Sequence, residues 1–250
     1  MAEKIKFYIA TSDNSSYILK PFAWLFDKYC PKWDIEILGY SVFPELPERY
    51  KCVSLAQKQE SLNTWTSYLY NYFRNVTDEF VIFGLDDFLI TQPIDYEIFN
   101  LVIEVMKQNK HITRYELGIG HQFHEYKIEY HYNGMDFYAY SQSAKYRIST
   151  QFSLWRTDYL LKHLNHRRTP FEFEAEGSKD ATLDYKMIIG TDNRFALNHV
   201  WSGAISSRHP GQINIEGIKR EDIEEMISLG LLDRSKLQYG MRIENNPKYE

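Results

Sequence analysis

Residues Phe80–Leu85 read FVIFGL and are followed directly by Asp86 and Asp87. The run is short and apolar, and charged residues bound it on both sides. Such a run is typical of a β-strand that is covered on both faces, as in a parallel sheet. It therefore predicts an α/β fold in which two adjacent carboxylates follow an interior strand.

The segments around this strand alternate between strand and helix patterns. Strands are predicted at Lys4–Ala10 and Asp34–Tyr40, and amphipathic helices at Leu62–Arg74 and Tyr96–Gln108. A further helix is predicted to end at Tyr29, starting late or bending because it contains Pro21. The resulting β-α-β-α-β-α order predicts a parallel sheet with right-handed crossovers.

The second half of the chain has a more irregular pattern. Asn133-Gly134 predicts a hairpin between Lys127–Tyr132 and Asp136–Tyr140. Further strands are predicted at Arg147–Trp155, Phe171–Ala175 and Phe195–Val200, and helices at Thr157–Leu164 and Arg220–Leu229. No linker or repeat divides the chain. We therefore expect a single domain over residues 1–250, with a Rossmann-like half (1–112) and a mixed half (113–250).

Composition excludes several classes of function. The 250 residues include 29 Lys plus Arg and 34 Asp plus Glu, a net charge of −5, which argues against general nucleic-acid binding. The longest stretches without a charged residue have 13 residues, whereas a membrane-spanning helix needs about 20 apolar ones. The amino terminus shows no signal-peptide pattern and there are only two cysteines, so a cytoplasmic protein with reduced thiols is expected.

Asp86 and Asp87 are the strongest candidates for chemistry. In open α/β sheets ligands bind outside the carboxyl ends of the strands. Two adjacent carboxylates there repel each other unless a cation or hydrogen-bond donors compensate. Mg²⁺ or Mn²⁺, shared with substrate phosphates, is the simplest compensation. The alternative is that one aspartate caps the next element while the other is solvated.

Four blocks around this pair resemble a known family. Trp65–Leu69, Glu79–Leu89, Phe152–Leu160 and Pro170–Ser178 resemble, in this order, motifs of nucleotide-sugar-dependent glycosyltransferases with the GT-A fold. The similar proteins are of the bacterial polysaccharide type and carry an x-Asp-Asp variant of the DxD motif. The resemblance covers roughly residues 4–180. Two positions depart from the pattern: Thr66 stands where serine is usual, and Phe171 where tryptophan is usual.

The resemblance implies a GT-A fold, a mixed sheet flanked by helices, and a metal-dependent transfer of a sugar to a glycan hydroxyl. Asp87 with Asp86 would bind the metal, and a late histidine, His199 or His209, would complete its ligands. The remaining implied contacts to the donor nucleotide-sugar are Thr11, Ser12, Asp13, Trp65 and Asp86. The acceptor, a glycan or lipid-linked saccharide, would lie near Trp155 and Arg156, with the protein cytoplasmic or peripheral at a membrane. The alternative for these two residues is a buried tryptophan followed by an arginine that starts a helix.

An inverting enzyme needs a carboxylate that deprotonates the acceptor hydroxyl. Glu174 is the first candidate and Glu172 the second. If Phe171–Ala175 is a strand, its alternation places both glutamates on one face. The alternative is an ordinary solvent-facing strand edge.

Other functions remain open on the sequence. A metal-dependent nucleotidyltransferase shares the sheet and the paired carboxylates, but usually has a glycine-rich, basic loop after the first strand, whereas this chain has Ser12–Ser15 without glycine. A non-catalytic carbohydrate-binding protein would use the abundant aromatics, 20 Tyr, 15 Phe and 5 Trp. His121, His124 and His131 are a zinc-site candidate, with exposed loop histidines as the alternative.

Overall fold

The computed structural model describes residues 5–58, 64–118, 126–191, 194–202 and 212–238. The strands are β1 (Phe7–Ala10), β2 (Ile35–Gly39), β3 (Tyr50–Ser54), β4 (Phe80–Leu85), β5 (Phe88–Ile90), β6 (Ile112–Glu116), β7 (Tyr126–Tyr132), β8 (Met135–Tyr140), β9 (Ser153–Arg156), β10 (Met187–Thr191), β11 (His199–Trp201), β12 (Ile213–Asn214) and β13 (Leu237–Gln238). The α-helices are α1 (Leu19–Tyr29), α2 (Trp65–Phe73), α3 (Tyr96–Gln108), α4 (Thr157–Leu164), α5 (Pro170–Asp180) and α6 (Arg220–Ser228).

One large mixed sheet organises the chain, in the strand order β3-β2-β1-β4-β9-β6-β10-β8-β7. The first four strands run parallel to one another, as the alternating strand and helix patterns predict. β9 is antiparallel to both β4 and β6, which makes β4 and β6 parallel. The expected mixed α/β domain with helices flanking the sheet is therefore confirmed. Both predicted halves contribute to this sheet, since β9 lies between β4 and β6.

Local sequence chemistry explains several of these elements. Pro21 is the third residue of α1, where its missing N–H breaks no helical hydrogen bond. Asp95 caps α3 by accepting from the backbone N–H groups of Glu97 and Ile98. Asn133 and Gly134 have φ values of 45° and 78°, the left-handed conformation that a tight hairpin turn needs between β7 and β8.

The predicted strand Phe171–Ala175 is wrong, because these residues belong to α5. Thr169 accepts from the backbone N–H of Glu172, and the Glu172 carboxylate accepts from the backbone N–H of Thr169. Pro170 follows this capping box at the first helical position. Together they start a helix and override the alternating pattern.

Two other strands begin later than predicted. The strand predicted from Arg147 starts at Ser153, and the one predicted at Phe195–Val200 is β11, which starts at His199. β3 and β10 have no counterpart among the predicted strands.

Aromatic rings fill much of the core. Phe7 packs edge-on against Phe26, and against Trp33, which in turn contacts Phe99. Most of the aromatic excess thus serves packing. In the part of the chain that the structure describes, no helix combines the length and the apolar character needed to cross a membrane.

Candidate functional site

The backbone places Asp86 and Asp87 at the carboxyl edge of the sheet. The backbone N–H of Asp86 donates to Ala10 O at the end of β1, 3.1 Å away. On the other side, Leu85 N donates to Thr150 O, 3.2 Å away, in the loop before β9. The pair therefore lies between the loop after β1 and the loop before β9, where open α/β sheets bind ligands.

Asp86 is completely buried and faces the loop after β1. Its Oδ2 accepts from Thr11 Oγ1 at 2.5 Å and from Ser15 Oγ at 2.8 Å. Its Oδ1 is also buried and has no hydrogen-bond partner within the described residues. Burial, with the charge of Asp87 adding to it, raises the pKa of Asp86 to about 8.

Asp87 faces the opposite side of the site. Its Oδ2 accepts from the indole Nε1 of Trp201 at 2.8 Å, and its backbone oxygen accepts from Ser202 N at 2.7 Å. Its Oδ1 is buried and has no partner among the described residues. Burial raises the pKa of Asp87 to about 7; the Trp201 bond opposes this rise and the nearby Glu174 carboxylate adds to it.

Glu174 is held beside the aspartates by the loop before β9. Its Oε1 accepts from Thr150 N at 2.7 Å, Thr150 Oγ1 at 2.8 Å and Ser149 Oγ at 3.3 Å. Its Oε2 accepts no hydrogen bond from the part of the chain described. Burial raises the pKa of Glu174 despite these three donors. Because Thr150 also bonds Leu85, one residue links Glu174 to the end of β4.

Glu172 is not brought together with Glu174. The two residues lie in a helix, where positions two apart are about 200° apart around the axis, so the predicted shared face does not form. The Glu172 side chain is exposed, and its carboxylate accepts from the backbone N–H of Thr169 in the capping box of α5.

The aspartate pair fits a hard divalent cation. Asp86 Oδ1 and Asp87 Oδ1 are buried oxygens without a partner in the described chain, and carboxylate oxygen is what Mg²⁺ and Mn²⁺ prefer. Within the described ranges no three His, Cys, Asp or Glu side chains are grouped so that they could hold a metal. The pair would therefore act with water and substrate phosphates as the remaining ligands.

His199, the predicted third ligand, is not grouped with the aspartates in the described structure. Its ring packs edge-on against Phe88 and Phe152, at 5.2 and 5.3 Å between ring centres. It also lies against Gly118, where a Cβ atom would come within 2.4 Å of the imidazole. Burial lowers the pKa of His199 to about 4. His209 lies outside the described residues.

The zinc candidate is only partly described. His121 and His124 lie outside the described residues. His131 is an exposed hairpin residue whose Nδ1 lies 2.7 Å from Asp136 Oδ1.

The loop after β1 holds its own shape through hydrogen bonds. Besides the bond from Thr11 to Asp86, the hydroxyl oxygens of Ser12 and Ser15 lie 2.8 Å apart. The Asp13 carboxylate accepts from the backbone N–H groups of Ser41 and Val42, both at 2.9 Å. These bonds join the loop after β1 to the segment after β2, beside Asp86.

Trp65, a predicted donor contact, lies in the core. Its ring packs against Phe83 of β4 and Phe173 of α5, with ring centres 6.2 and 5.6 Å away. The neighbouring Thr66 joins α2 to the segment before α5, since Arg168 N donates to its hydroxyl at 2.8 Å. These contacts position the helix that carries Glu174.

Trp155 and Arg156, predicted to lie near the acceptor, are not brought together with Asp86 and Asp87. Trp155 is fully buried. Arg156 pairs with Phe80 at the start of β4, because β9 runs antiparallel to β4. Its guanidinium donates to Ile112 O at 2.9 Å and to the Glu79 carboxylate at 2.5 Å. Arg156 therefore lies at the edge of the sheet opposite Asp86.

Three residues of the site were missed by sequence reasoning. Trp201, Ser15 and Thr150 reach the carboxylates through contacts between distant segments, which no local pattern encodes. Trp201 lies two residues after the predicted ligand His199, on the same short strand β11.

Comparison with known proteins supports the fold. No protein-family model matches the chain, and no curated protein is significantly similar to it in sequence. The family resemblance of the sequence blocks therefore stays a prediction. Among solved structures, UDP-glucose pyrophosphorylase from Acinetobacter baumanii has a TM-score of 0.52 and 10% identity, over 94% of this chain and 96% of that one.

Two weaker matches are S. aureus TarS and a cytidylyltransferase from Leptospira borgpetersenii. TarS (residues 1–349) has a TM-score of 0.45 and 13% identity, over 91% of this chain and 64% of that one. The match to a longer TarS chain covers 37% of that chain's length. The cytidylyltransferase has a TM-score of 0.44 and 11% identity, over 93% of this chain and 89% of that one. At 10% identity the likeness to the pyrophosphorylase establishes the fold alone, a Rossmann-like mixed α/β domain.

Proposed function

We propose that the protein is a metal-dependent glycosyltransferase that moves a sugar, with inversion, from a nucleoside-diphosphate donor to a hydroxyl of a glycan or lipid-linked saccharide. The observation that carries the proposal is the buried Asp86–Asp87 pair, each with one oxygen that has no hydrogen-bond partner among the described residues, beside the tethered Glu174. Two buried carboxylates to which the described part of the chain offers no counter-charge destabilise a fold, so their burial calls for a functional explanation.

Asp86 and Asp87 would hold Mg²⁺ or Mn²⁺ through these oxygens. When bound, the metal supplies positive charge that offsets the charge developing on the nucleoside-diphosphate leaving group. Thr11 and Ser15 fix the Asp86 carboxylate from one side, and Trp201 fixes that of Asp87 from the other. The ligand oxygens are thereby oriented before any substrate binds.

Glu174 would act as the general base. Three donors fix Oε1, which leaves Oε2 to accept the proton of the acceptor hydroxyl. As the acceptor oxygen bonds to the anomeric carbon, the bond from that carbon to the diphosphate oxygen breaks, and the proton stays on Glu174. A raised carboxylate pKa favours this proton transfer near neutral pH.

A nucleotidyltransferase is the second candidate. The likeness to UDP-glucose pyrophosphorylase over nearly the whole of both chains keeps this candidate open, although the fold is compatible with either reaction. The loop after β1 favours the glycosyltransferase: Thr11–Ser15 contains no glycine, lysine or arginine to bind a triphosphate, and its Asp13 is engaged by Ser41 and Val42. A non-catalytic carbohydrate-binding protein would leave the buried aspartates unexplained.

Product analysis separates the candidates. The protein at high concentration would be incubated with UDP-, GDP- or CDP-sugars and Mn²⁺, with and without pyrophosphate. The proposal predicts slow release of nucleoside diphosphate, independent of pyrophosphate and abolished by chelation. Formation of nucleoside triphosphate and sugar 1-phosphate only with pyrophosphate would identify a nucleotidyltransferase. Absence of both products would contradict both enzyme candidates.

A further inference from the structure

Trp201 is a large apolar side chain that remains 37% exposed at the candidate site. Trp33, Trp65 and Trp155 lie in the core with 9% exposure or less. Trp24 is partly buried and is covered by the Lys28 ammonium, 4.6 Å from its ring centre. Trp201 thus keeps part of its indole side chain open to solvent beside the buried aspartates.

The structure holds this ring in place. Trp201 pairs with Phe88 in the antiparallel β11–β5 ladder. This pairing fixes the backbone of Trp201 beside the residue that directly follows Asp87. Its indole Nε1 donates to Asp87 Oδ2 at 2.8 Å, and its carbonyl accepts from Asn214 Nδ2 at 3.2 Å. A ring that is fixed in advance loses little conformational entropy when a ligand stacks on it.

The contacts of the two aspartates give the site a direction. Asp86 faces Thr11 and Ser15, in the loop after β1. Asp87 faces Trp201, and burial, together with the negative charge of the nearby Glu174, raises the pKa of Asp87. Under the proposed function the nucleoside lies towards the loop after β1. The sugar to be transferred then lies on the Asp87 side, between the diphosphate and the general base Glu174.

We infer that the exposed face of Trp201 is the stacking platform for the sugar ring of the donor. The inference rests on the proposed function and adds the binding element for the transferred sugar. An indole face is apolar and electron-rich, and it matches the C–H face of a pyranose. The direct bond to Asp87 places the indole next to the diphosphate to which the sugar is attached.

Paired affinities test this inference. Dissociation constants would be measured by calorimetry with Mn²⁺ for UDP and UDP-glucose, GDP and GDP-mannose, in the wild type, Trp201→Ala and Trp201→Phe, with Trp24→Phe as the matched control. Phenylalanine keeps an aromatic face but loses the bond to Asp87, so the comparison separates stacking from that bond. Circular dichroism and melting temperature would establish that each variant folds.

For the nucleotide that binds, we expect Trp201→Ala to weaken binding of the sugar nucleotide about tenfold, a loss worth about 1.4 kcal/mol, and binding of the nucleoside diphosphate less than twofold. Trp201→Phe should retain most of the affinity for the sugar nucleotide. Bound sugar nucleotide should also reduce the quenching of tryptophan fluorescence by acrylamide in Trp24→Phe, but not in Trp201→Phe.

Three results would overturn the inference. Equal losses for nucleoside diphosphate and sugar nucleotide would place the ring on the nucleotide, and unchanged affinities would leave it without a ligand. If the folded wild type binds none of these nucleotides and does not bind CDP either, the proposed function fails and the inference with it.

Discussion

At the scale of single residues, the carboxylates that are proposed to bind the metal lower the stability of the fold when no metal is bound. Asp86 and Asp87 are buried with pKa values raised to about 8 and about 7, so their negative charges are unfavourable in the metal-free fold. A raised carboxyl pKa means that the folded state binds protons more tightly than the unfolded chain. The two aspartates should therefore contribute an increase in stability to the metal-free protein as pH falls from about 8 towards 4.

Asp87→Asn should stabilise the metal-free protein. In chelator at pH 8 the substitution removes a buried charge and keeps an oxygen that accepts from Trp201. We expect the melting temperature to rise by about 2–4 °C, the shift that 1 kcal/mol gives in a chain of this size. The exposed Asp136→Asn is the matched control and should change little. A lower melting temperature in Asp87→Asn would show that the carboxylate stabilises the fold.

Glu174→Gln should abolish turnover while preserving the fold. The amide oxygen can still accept from Thr150 and Ser149, but no group remains to take the acceptor proton. We expect turnover to fall about 10²–10⁴-fold, the usual contribution of a general base, with nucleotide affinity retained.

Glu172→Gln is its control. Glutamine also supports a capping box, so stability and turnover should stay at wild-type values. Equal loss of turnover in both variants would remove Glu174 from its assigned role.

At the scale of elements, β6 contains a fully buried ion pair next to the site. Arg114 donates to Ser153 Oγ and Arg147 O, at 3.0 and 2.8 Å, and its Nη2 lies 3.6 Å from Glu116 Oε1. Arg114→Met should destabilise the protein by about 3–5 kcal/mol, because it leaves Glu116 charged and unpaired.

Denaturant unfolding of the double variant tests this pairing. Arg114→Met combined with Glu116→Leu should cost clearly less than the sum of the two single substitutions, because no buried charge of the pair is left over. Additive costs would mean that the two side chains act independently.

The sequence was informative about elements whose signals are local. The FVIFGL run, the Asn133-Gly134 turn and the periodicity of Tyr96–Gln108 predicted β4, the hairpin and α3. The Phe171–Ala175 error arose because alternation was weighed and the Thr169 cap was not. The contacts of Trp201 and Arg156 depend on strand pairing between distant segments, which periodicity does not encode.

At the scale of the whole molecule, a buried histidine makes a contribution to the pH dependence of stability that opposes that of the two aspartates. His163 is almost fully buried against Tyr159, and burial lowers its pKa to about 3. The unfolded chain binds a proton at its ordinary pKa of 6.5, whereas the folded chain does not, so stability is lost as pH falls from 6.5 towards 3. The loss approaches about 1.4 kcal/mol per pH unit.

His163→Phe should remove the histidine's contribution to this pH dependence. In denaturant unfolding, the free energy of unfolding should fall less, or rise more, from pH 7 to pH 4 in the variant than in the wild type. The exposed His131→Phe serves as the control and should keep the wild-type dependence. An unchanged slope in His163→Phe would show that other groups cause the loss.

The central claim, that one buried carboxylate pair binds a nucleotide through a divalent cation, is tested most directly by calorimetric titration. UDP, GDP and CDP would be titrated into the wild type and into Asp87→Asn, with Mn²⁺ and with chelator. We predict that one of these nucleotides binds the wild type with Mn²⁺, and that chelation or Asp87→Asn abolishes this binding. Binding that survives both changes, or no binding by the folded wild type, would contradict the claim.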